Sequence, residues 1–365
     1  MLEHGGNLHD AARHFGRPVA DWLDLSTGIN PRFYPVPALA ANAWHRLPEQ
    51  SPDLCIAAQQ FYGAPAMLAV AGSQAAIQAL PRLRLQQHGV ARVVVSAPSY
   101  AEHAYQWRQF GDQKHRAHQG HQGHHVQECD YALLDAAVAD AATDVVVLCN
   151  PNNPTGERVA TPTLLRWAAQ LAARGGWLIV DEAFADTFLI HHANDTIPVD
   201  PDAHIGVAPW SAQPGLIVLR SVGKFFGLAG LRLGFVGAQP DLLTRLETML
   251  GPWAVSGPAQ QVALNALNDS TWQADSRHYL QQQGQRLQQT LGAQGWACCG
   301  TDLFQWCSDS ALQGQTEQLW QHLAQQGIWV RLFRHAARGL RFGLPPDDAG
   351  WEKLNKAFAT WTPSI

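Results

Sequence analysis

The chain has 365 residues, of which 46% are hydrophobic, so its length and composition are those of a globular protein of about two domains. Its net charge of −5 excludes the basic surface that nucleic acids and anionic membranes attract. No apolar run approaches the roughly 18 residues of a membrane span, and the polar start, Met1–Asn7, is unlike a signal peptide.

The six cysteines indicate the compartment. They follow no disulfide framework, no Cys-x-x-Cys pair suggests zinc, and adjacent Cys298 and Cys299 have poor geometry for a disulfide with each other. We therefore expect reduced thiols in a cytoplasmic protein that has no metal site.

In chain order, residues 1–45 are predicted to form an arm rather than a domain. Glycine, proline and polar residues interrupt every periodic pattern in this stretch. Two clusters, His4–Asn7 and Ser26–Pro31, place polar side chains beside glycine. On local grounds alone, ordinary turn chemistry explains both clusters better than a binding site does.

From about residue 50, helices alternate with strands. Residues 52–62 are predicted to form a short helix, and residues 69–72 a strand end and glycine turn before a helix that begins at Ser73. The amino end of such a helix offers free backbone N–H groups and a positive dipole end, which suit a phosphate. Alone, this signal is weak, since every α/β protein contains several such turns.

Five further apolar runs predict strands, at residues 92–98, 144–149, 177–180, 216–220 and 232–236. Runs of β-branched residues that alternate with helices, such as residues 162–174, favour a mostly parallel sheet covered on both faces. Ligands bind such sheets at the carboxyl ends of the strands. The polar residues that follow strand ends are Tyr100, Asn153, Asp181, Ser221 and Lys224.

The rest of the prediction depends on the stretch from Ser221 to Arg232. Lys224 lies among glycine, phenylalanine, leucine and alanine, and burial lowers the pKa of a lysine, so its neutral amine can form a Schiff base with a carbonyl. Ser221 and Arg232 could then hold a phosphate. A buried lysine paired with a carboxylate explains this stretch equally well.

A histidine-rich run, His115–His125, lies between the first two of these five strands. Histidines at this density could bind a transition metal adventitiously. No carboxylate or cysteine completes a sensible ligand set, so we interpret the run as a solvated connection.

After residue 251 the pattern predicts a smaller α+β domain. Helices are expected at 258–267, 272–291, 316–326 and 349–361, with short strands at 304–307, 328–333 and 340–344. Arg331 and Arg341 lie in apolar strands, where an unpaired charge is costly, so both require anionic partners. Internal salt bridges and a bound substrate are equally good explanations. The predicted organisation is an arm (1–45), a large domain (46–255) and a small domain (256–365).

Together these residues resemble the fold-type-I, pyridoxal-phosphate-dependent aminotransferase superfamily, in the same order along nearly the whole chain. The loop 150–156 and the stretch 221–235 are similar to histidinol-phosphate aminotransferases, whereas His4–Asn7 with Ser26–Pro31 is similar to the threonine-phosphate decarboxylases of cobalamin biosynthesis. The resemblance implies an α/β fold with a mostly parallel seven-stranded sheet, a smaller α+β C-terminal domain and a homodimer.

The resemblance also implies residue roles toward pyridoxal 5'-phosphate. Lys224 would carry the cofactor as a Schiff base and move protons at the substrate α-carbon, and Asp181 would keep the pyridine nitrogen protonated. Tyr100 would stack on the ring, and Asn153 would donate to its phenolic oxygen. The residues that would hold the cofactor phosphate are Ser73, Gln74, Ser221 and Arg232.

For a small phosphorylated amino acid as substrate, the resemblance implies a second set of contacts. Arg341 would bind the α-carboxylate through a bidentate pair. His4, Asn30 and Arg331 would face the phosphate, with His4 reaching from a partner subunit.

Two positions depart from the family pattern. Phe184 stands where many relatives have a tyrosine whose hydroxyl contacts the phenolic oxygen, so the Schiff-base pKa would be less depressed. Leu47 stands where many have a tyrosine that reaches the neighbouring subunit's cofactor phosphate. The resemblance therefore supports a dimer more firmly than it supports a cofactor contact shared between subunits.

The leading hypothesis is decarboxylation of L-threonine O-3-phosphate to (R)-1-amino-2-propanol phosphate and carbon dioxide. The bond held perpendicular to the cofactor ring breaks, and the protein selects it by where it anchors carboxylate and phosphate. The alternative is a histidinol-phosphate-type aminotransferase that uses 2-oxoglutarate. A non-catalytic scaffold of cobalamin assembly is a third hypothesis, which the complete set of Lys224, Asp181, Asn153 and Arg232 disfavours.

Overall fold

The computed structural model describes residues 5–110, 123–188, 206–335 and 337–362. The chain divides into two compact units: a small unit of residues 1–33, 153–157 and 274–365, and a large unit of residues 34–152 and 158–273. The domain boundaries inferred from the sequence, at residues 45 and 255, stay a prediction. No helix among the described residues is long and apolar enough to cross a membrane.

A seven-stranded sheet forms the centre of the large unit. Its strands, in chain order, are β2 (Met67–Val70), β3 (Arg92–Ser96), β4 (His125–Cys129), β5 (Val145–Cys149), β6 (Trp177–Asp181), β7 (Leu216–Ser221) and β8 (Gly234–Gly237). Their spatial order is β2-β8-β7-β6-β5-β3-β4. The pairs from β7 to β4 are parallel, and only β8 runs antiparallel to its neighbours. The mostly parallel seven-stranded sheet is thus confirmed.

The sheet is buried because its central strands are apolar on both faces. All five residues of β5 and of β6 are buried, as are the first five of β7. The helices of the large unit are α2 (Asn42–His45), α3 (Pro52–Tyr62), α4 (Ser73–His88), α5 (Glu102–Gln109), α6 (Leu134–Ala139), α7 (Thr161–Ala172), α8 (Pro240–Leu250) and α9 (Gly257–Asn268). Alternating strands and helices therefore bring the carboxyl ends of β3, β5, β6 and β7 to one edge.

A five-stranded sheet organises the small unit. Its strands are β1 (Leu23–Leu25), β9 (Cys299–Thr301), β10 (Phe304–Ser308), β11 (Ile328–Phe333) and β12 (Gly339–Gly343), in the spatial order β1-β11-β12-β10-β9. Strand β1 pairs in parallel with β11, and the other pairs are antiparallel. The remaining helices are α1 (Leu8–Phe15), α10 (Ser270–Gly292), α11 (Thr316–Gln325) and α12 (Asp348–Ala359). A mixed α+β sheet unit is what the sequence predicted for this part of the chain.

The start of the chain is more regular than its interrupted pattern suggested: Asn7 caps α1, Gly16 ends it in the left-handed region, and Phe15 packs edge-on against Trp22. The arm over residues 1–45, which the sequence predicts to contribute to the small domain and the active site, stays a prediction. One strand boundary was wrong: the strand predicted from Arg232 begins only at Gly234, because Arg232 itself has a left-handed backbone (φ 52°). At both places a turn residue or a distant aromatic contact overrides the local pattern.

Candidate active site

In the large unit, the amino end of α4 forms a cationic cradle. Gly72 precedes the helix with φ 73°, and no side chain caps the helix. A Cβ on Gly72 would lie 2.9 Å from Nη2 of Arg232, and a Cβ on Gly234 would lie 2.6 Å from the backbone nitrogen of Ser73. Glycine at both positions thus lets the guanidinium and the backbone approach closely, and this end of the helix suits a phosphate.

Ser221 and Lys224 lie at the carboxyl end of β7, in the turn that follows the strand. The Ser221 hydroxyl oxygen accepts a hydrogen bond from the backbone N–H of Gly223 at 3.2 Å. Lys224 is half-buried, and its Nζ lies 5.3 Å from the ring centroid of Phe184, whose side chain is buried. The ring that replaces the family's tyrosine therefore faces the lysine with an apolar surface and offers no hydroxyl.

Asp181 ends β6 and is buried together with His103 of α5. One carboxylate oxygen lies 2.9 Å from Nε2 of His103, and the other accepts from the backbone N–H of Ala183 at 3.0 Å. Burial lowers the pKa of His103, but the hydrogen bonds to Asp181 and Cys149 outweigh it and raise that pKa to about 10. The contact with Asp181 therefore favours the charged form of His103 at neutral pH.

Sequence reasoning missed His103. No local pattern signals this residue, because its contact with Asp181 joins residues 78 positions apart. The nearest ring and carboxylate atoms of His103, Cys149 and Asp181 lie within 4.8 Å of one another, so this trio has ligand atoms that a metal ion could use. The short His103–Asp181 hydrogen bond accounts for the arrangement without one.

Tyr100 belongs to a hydrogen-bonded chain in the large unit. Its hydroxyl donates to Oε1 of Gln74 at 3.3 Å, and Nε2 of Gln74 donates to Glu102 at 2.8 Å. Burial, with Glu102 and Asp181 nearby, raises the pKa of Tyr100 well above its usual range, so the phenol stays neutral. Gln74, which was predicted to bind the cofactor phosphate, is thus hydrogen-bonded to Tyr100, which was predicted to stack on the cofactor ring.

In the small unit, Arg341 lies on β12 and is 4% exposed. Its guanidinium donates to the backbone oxygen of Ser26 at 2.6 Å and to the amide oxygen of Asn153, both of which are neutral acceptors. Among the described residues it makes no salt bridge, so the alternative of an internal ion pair is not met for Arg341. Burial, and secondarily Arg331, lowers its pKa.

Arg331 reinforces this positive charge. The register of β11 and β12 places Arg331 directly opposite Arg341. Like charges at opposed positions of an antiparallel pair destabilise a sheet. Arg331 therefore adds positive charge beside Arg341 in the small unit.

The other predicted substrate residues differ in what surrounds them. Asn30 is buried; its Nδ2 donates to the hydroxyl of Ser276 at 2.9 Å and its Oδ1 accepts from the backbone N–H of Arg32 at 2.9 Å. His4 lies outside the described residues, as does most of the run His115–His125. Within that run His124 is buried, with Nε2 2.9 Å from the backbone oxygen of Pro81 and Nδ1 accepting from the backbone of Ala91.

The arrangement fits a planar aromatic phosphate. In the large unit, the uncapped helix α4 and Arg232 supply donors and positive charge for a phosphate. A buried carboxylate, Asp181, is held by a protonated histidine and suits a protonated ring nitrogen, and Lys224 supplies an amine. The donor chemistry therefore matches pyridoxal 5'-phosphate.

Comparisons with known proteins agree with this chemistry. A family model described as aminotransferase class I and II matches residues 20–347. A threonine-phosphate decarboxylase of Pseudomonas aeruginosa is 45% identical to this chain over 98% of it and 97% of that protein. Another, from a Sinorhizobium species, is 37% identical over 98% of both chains.

Two solved structures have the same fold at low identity. A histidinol-phosphate aminotransferase of Sinorhizobium meliloti in complex with pyridoxal-5'-phosphate has a TM-score of 0.77 at 19% identity, covering 98% of this chain and 94% of that one. An L-threonine-O-3-phosphate decarboxylase of Porphyromonas gingivalis has a TM-score of 0.65 at 18% identity, covering 98% and 97%.

Proposed function

Because this chain belongs to the class I and II aminotransferase family, we propose that it is a pyridoxal-phosphate-dependent threonine-phosphate decarboxylase. The observation that carries the proposal is 45% identity to a decarboxylase of that name over nearly the full length of both chains. The fold is that of the fold-type-I enzymes, as the sequence predicted. The reaction converts L-threonine O-3-phosphate to (R)-1-amino-2-propanol phosphate and carbon dioxide, in cobalamin biosynthesis.

Pyridoxal 5'-phosphate is the cofactor, and the large unit supplies most of the groups that would hold it. The backbone N–H groups of Ser73 and Gln74, the Ser221 hydroxyl and the Arg232 guanidinium would bind its phosphate. Tyr100 would stack on the ring, Asp181 would face the ring nitrogen, and Asn153 would donate to the phenolic oxygen. When bound, the cofactor supplies a conjugated ring that accepts the electron pair released at the substrate α-carbon.

The small unit supplies the groups for the substrate. Arg341 binds the α-carboxylate, and the exchange of two neutral acceptors for a carboxylate would restore its lowered pKa. Arg331, Asn30 and His4 bind the substrate phosphate, with His4 contributed by a partner subunit. Anchoring both ends of the substrate fixes which bond at the α-carbon is perpendicular to the ring.

Lys224 has two tasks in this reaction. With the cofactor bound, its amine would hold the cofactor covalently, and its ammonium group would deliver a proton to the substrate α-carbon. Because the carboxylate leaves as carbon dioxide without a proton, the reaction takes up one proton, which reaches the α-carbon through Lys224. Phe184 covers the lysine with an apolar ring.

The proposal includes a cytoplasmic homodimer. The exposed large apolar side chains of the large unit include Trp44, Leu47 and Trp253. Nε2 of Gln260 donates to backbone oxygens at residues 49 and 255, and so ties together the segments that follow Leu47 and Trp253. Exposed apolar side chains of this size favour a protein contact, for which the proposed occupant is a second copy of the chain. Trp253→Lys is expected to give monomers in sedimentation velocity.

Carbon dioxide release tests the reaction. The cofactor-loaded protein is given L-threonine O-3-phosphate with and without 2-oxoglutarate. We expect stoichiometric carbon dioxide and amino-propanol phosphate without the keto acid. If carbon dioxide is absent but glutamate forms from histidinol phosphate when 2-oxoglutarate is added, the aminotransferase alternative replaces the proposal.

Borohydride reduction tests Lys224 separately. Reduction fixes the cofactor on its lysine, and peptide mapping is expected to find it at Lys224. Lys224→Ala should abolish labelling and carbon dioxide release, whereas Lys356→Ala, an exposed lysine paired with Glu352, should leave both unchanged. Labelling of Lys224→Ala to the wild-type extent would show that the lysine is misassigned.

A further inference from the structure

Two cysteines of the small sheet are opposite each other. The antiparallel register of β9 and β10 pairs Cys299 with Trp306, and continuing that register by one residue before the start of β9 brings Cys298 to the position opposite Cys307. Opposed residues of an antiparallel pair have Cα atoms roughly 4.5–5.5 Å apart. That separation falls within the roughly 4.4–6.8 Å that a disulfide bridges. The two thiols are also close enough for each to shift the pKa of the other.

The two sulfurs have different environments. Cys298 is half-buried, and its sulfur lies 3.9 Å from the backbone oxygen of Gln288, whereas Cys307 is completely buried. The interaction with the Cys307 thiol lowers the pKa of Cys298, although burial opposes this effect. The same interaction, followed by burial, raises the pKa of Cys307. Cys298 is therefore the more reactive thiol, and Cys307 is positioned to resolve it.

From this geometry we infer that Cys298 and Cys307 form an oxidisable cross-strand dithiol, a modification site for peroxides. The thiolate of Cys298 attacks a peroxide oxygen, the O–O bond breaks, and Cys298 becomes a sulfenic acid. The thiol of Cys307 then displaces that hydroxyl and water leaves. One peroxide is reduced by two electrons, and one disulfide is formed.

The neighbouring Cys299 serves as an internal comparison. It is the first residue of β9 and, because successive side chains along an extended chain alternate, it points to the opposite face from Cys298; it is also exposed. Burial, Cys298 and Glu157 raise its pKa. Exposure alone would favour oxidation of Cys299, whereas the geometry selects Cys298 with Cys307.

The cross-link would act on an edge strand. Strand β9 is three residues long and lies at the edge of its sheet. A Cβ on Gly156 would lie 2.5 Å from Cα of Gly300, so the centre of β9 is in backbone contact with the segment that follows Asn153. A disulfide at the start of β9 would hold this strand against β10. Oxidation therefore slows the local opening of β9.

The test is made on the full-length, cofactor-loaded protein with hydrogen peroxide in small molar excess. After alkylation of free thiols, a non-reducing digest should contain one peptide pair joined through Cys298 and Cys307, two hydrogens lighter than the separate peptides. Two of the six thiols should be lost and should return with dithiothreitol. Amide hydrogen exchange in β9 should slow at least several-fold on oxidation.

Three variants distinguish the site from general oxidation. Cys298→Ser should abolish the cross-link, Cys307→Ala should leave a Cys298 sulfenic acid that dimedone traps, and Cys299→Ser should behave as wild type. A disulfide through Cys299, sulfinic acid at Cys298 with Cys307 still reduced, or unchanged exchange in β9 would each overturn the inference. The chemistry is read by mass, so its failure is independent of whether the decarboxylase proposal holds.

Discussion

Each unit of the molecule buries an arginine on a sheet strand, and the two are compensated differently. In the large unit, Arg220 donates to Glu182 at 2.5 Å and to Asp186 at 2.7 Å, and all three side chains are at most 1% exposed. Burial lowers its pKa, but the two carboxylates outweigh this and raise it. In the small unit, Arg341 has only neutral acceptors among the described residues, and its pKa is lowered.

The difference separates a structural charge from a functional one. Removal of a charge from water costs several kcal/mol, and a buried ion pair recovers much of this cost while neutral acceptors recover less. Arg220 has carboxylate partners within the protein and needs no ligand. Arg341 has only neutral hydrogen-bond acceptors among the described residues, and a substrate carboxylate would supply an anionic partner.

The largest expected effect is on the free energy of unfolding when Arg220, the arginine with carboxylate partners, is replaced. Arg220→Met leaves two carboxylates buried without their partner, so we expect the free energy of unfolding to fall by about 3–5 kcal/mol. Urea unfolding measures it. Arg166→Met, which removes an exposed pair with Asp135, is the control and should change stability by under about 1 kcal/mol. If the two variants are equally stable, Arg220 is not the structural charge.

Replacement of Arg341 should show the opposite pattern, with a large effect on activity and a small effect on stability. Arg341→Met loses two charge-assisted hydrogen bonds to the substrate, so kcat/KM for L-threonine O-3-phosphate should fall by about 10²–10³. The loss of stability in urea should be smaller than that of Arg220→Met, because Arg341 makes no salt bridge among the described residues and only the attraction to Asp24 opposes the effect of its burial. Arg338→Met, an exposed neighbour, should retain wild-type kinetics. A stability loss as large as that of Arg220→Met would contradict the comparison.

His103 is a third buried cation and has one carboxylate partner. Its pKa is raised to about 10, so the stability it contributes is complete below about pH 6.5 and is lost as the pH rises through about 10. We expect wild type to exceed His103→Gln by about 1.5–3 kcal/mol at pH 6. Urea unfolding across pH 6–10.5 should show this difference shrinking. If the stability difference between wild type and His103→Gln grew with pH instead, His103 would contribute as a neutral imidazole and its assignment as a cation would be wrong.

The smallest effect concerns the pair of opposed arginines. Arg331→Gln removes one of the two opposed charges, so the free energy of unfolding should change by less than about 1 kcal/mol. The same variant should raise KM for the phosphorylated substrate. A larger change in stability, measured alongside Arg334→Gln as a control, would contradict this small expected effect.

Much of the fold could be predicted from local chemistry. Helix α3 spans the predicted residues, because Ser51 caps it, Pro52 begins it and Gly63 ends it in the left-handed region. The strands of the large sheet are recognisable because β-branched residues fill both of their faces. Helix α1 could not be predicted in this way, since it is short and its Phe15 packs against tryptophans at positions 22, 320 and 329.

The site residues fall into the same two groups: those that local sequence identifies and those that depend on distant contacts. Asp181, Ser221 and Lys224 were identifiable because each comes at or just after the end of a strand. The contact of His103 with Asp181 joins residues 78 positions apart, and no local pattern encodes it. Whether Arg341 has a salt bridge likewise depends on which side chains the fold brings to it.

The pairing of β1 with β11 has a consequence for how the protein is made. Leu23–Leu25 is the edge strand of a sheet whose partner begins at Ile328, about 300 residues later. At roughly 5–20 residues per second of translation, β1 leaves the ribosome about 15–60 s before that partner exists. The large sheet, with its strands closer in sequence, can assemble during this interval. The small sheet can close only after β11 and β12 have been made, so ribosomal stalling before residue 328 should leave an unpaired amino-terminal strand.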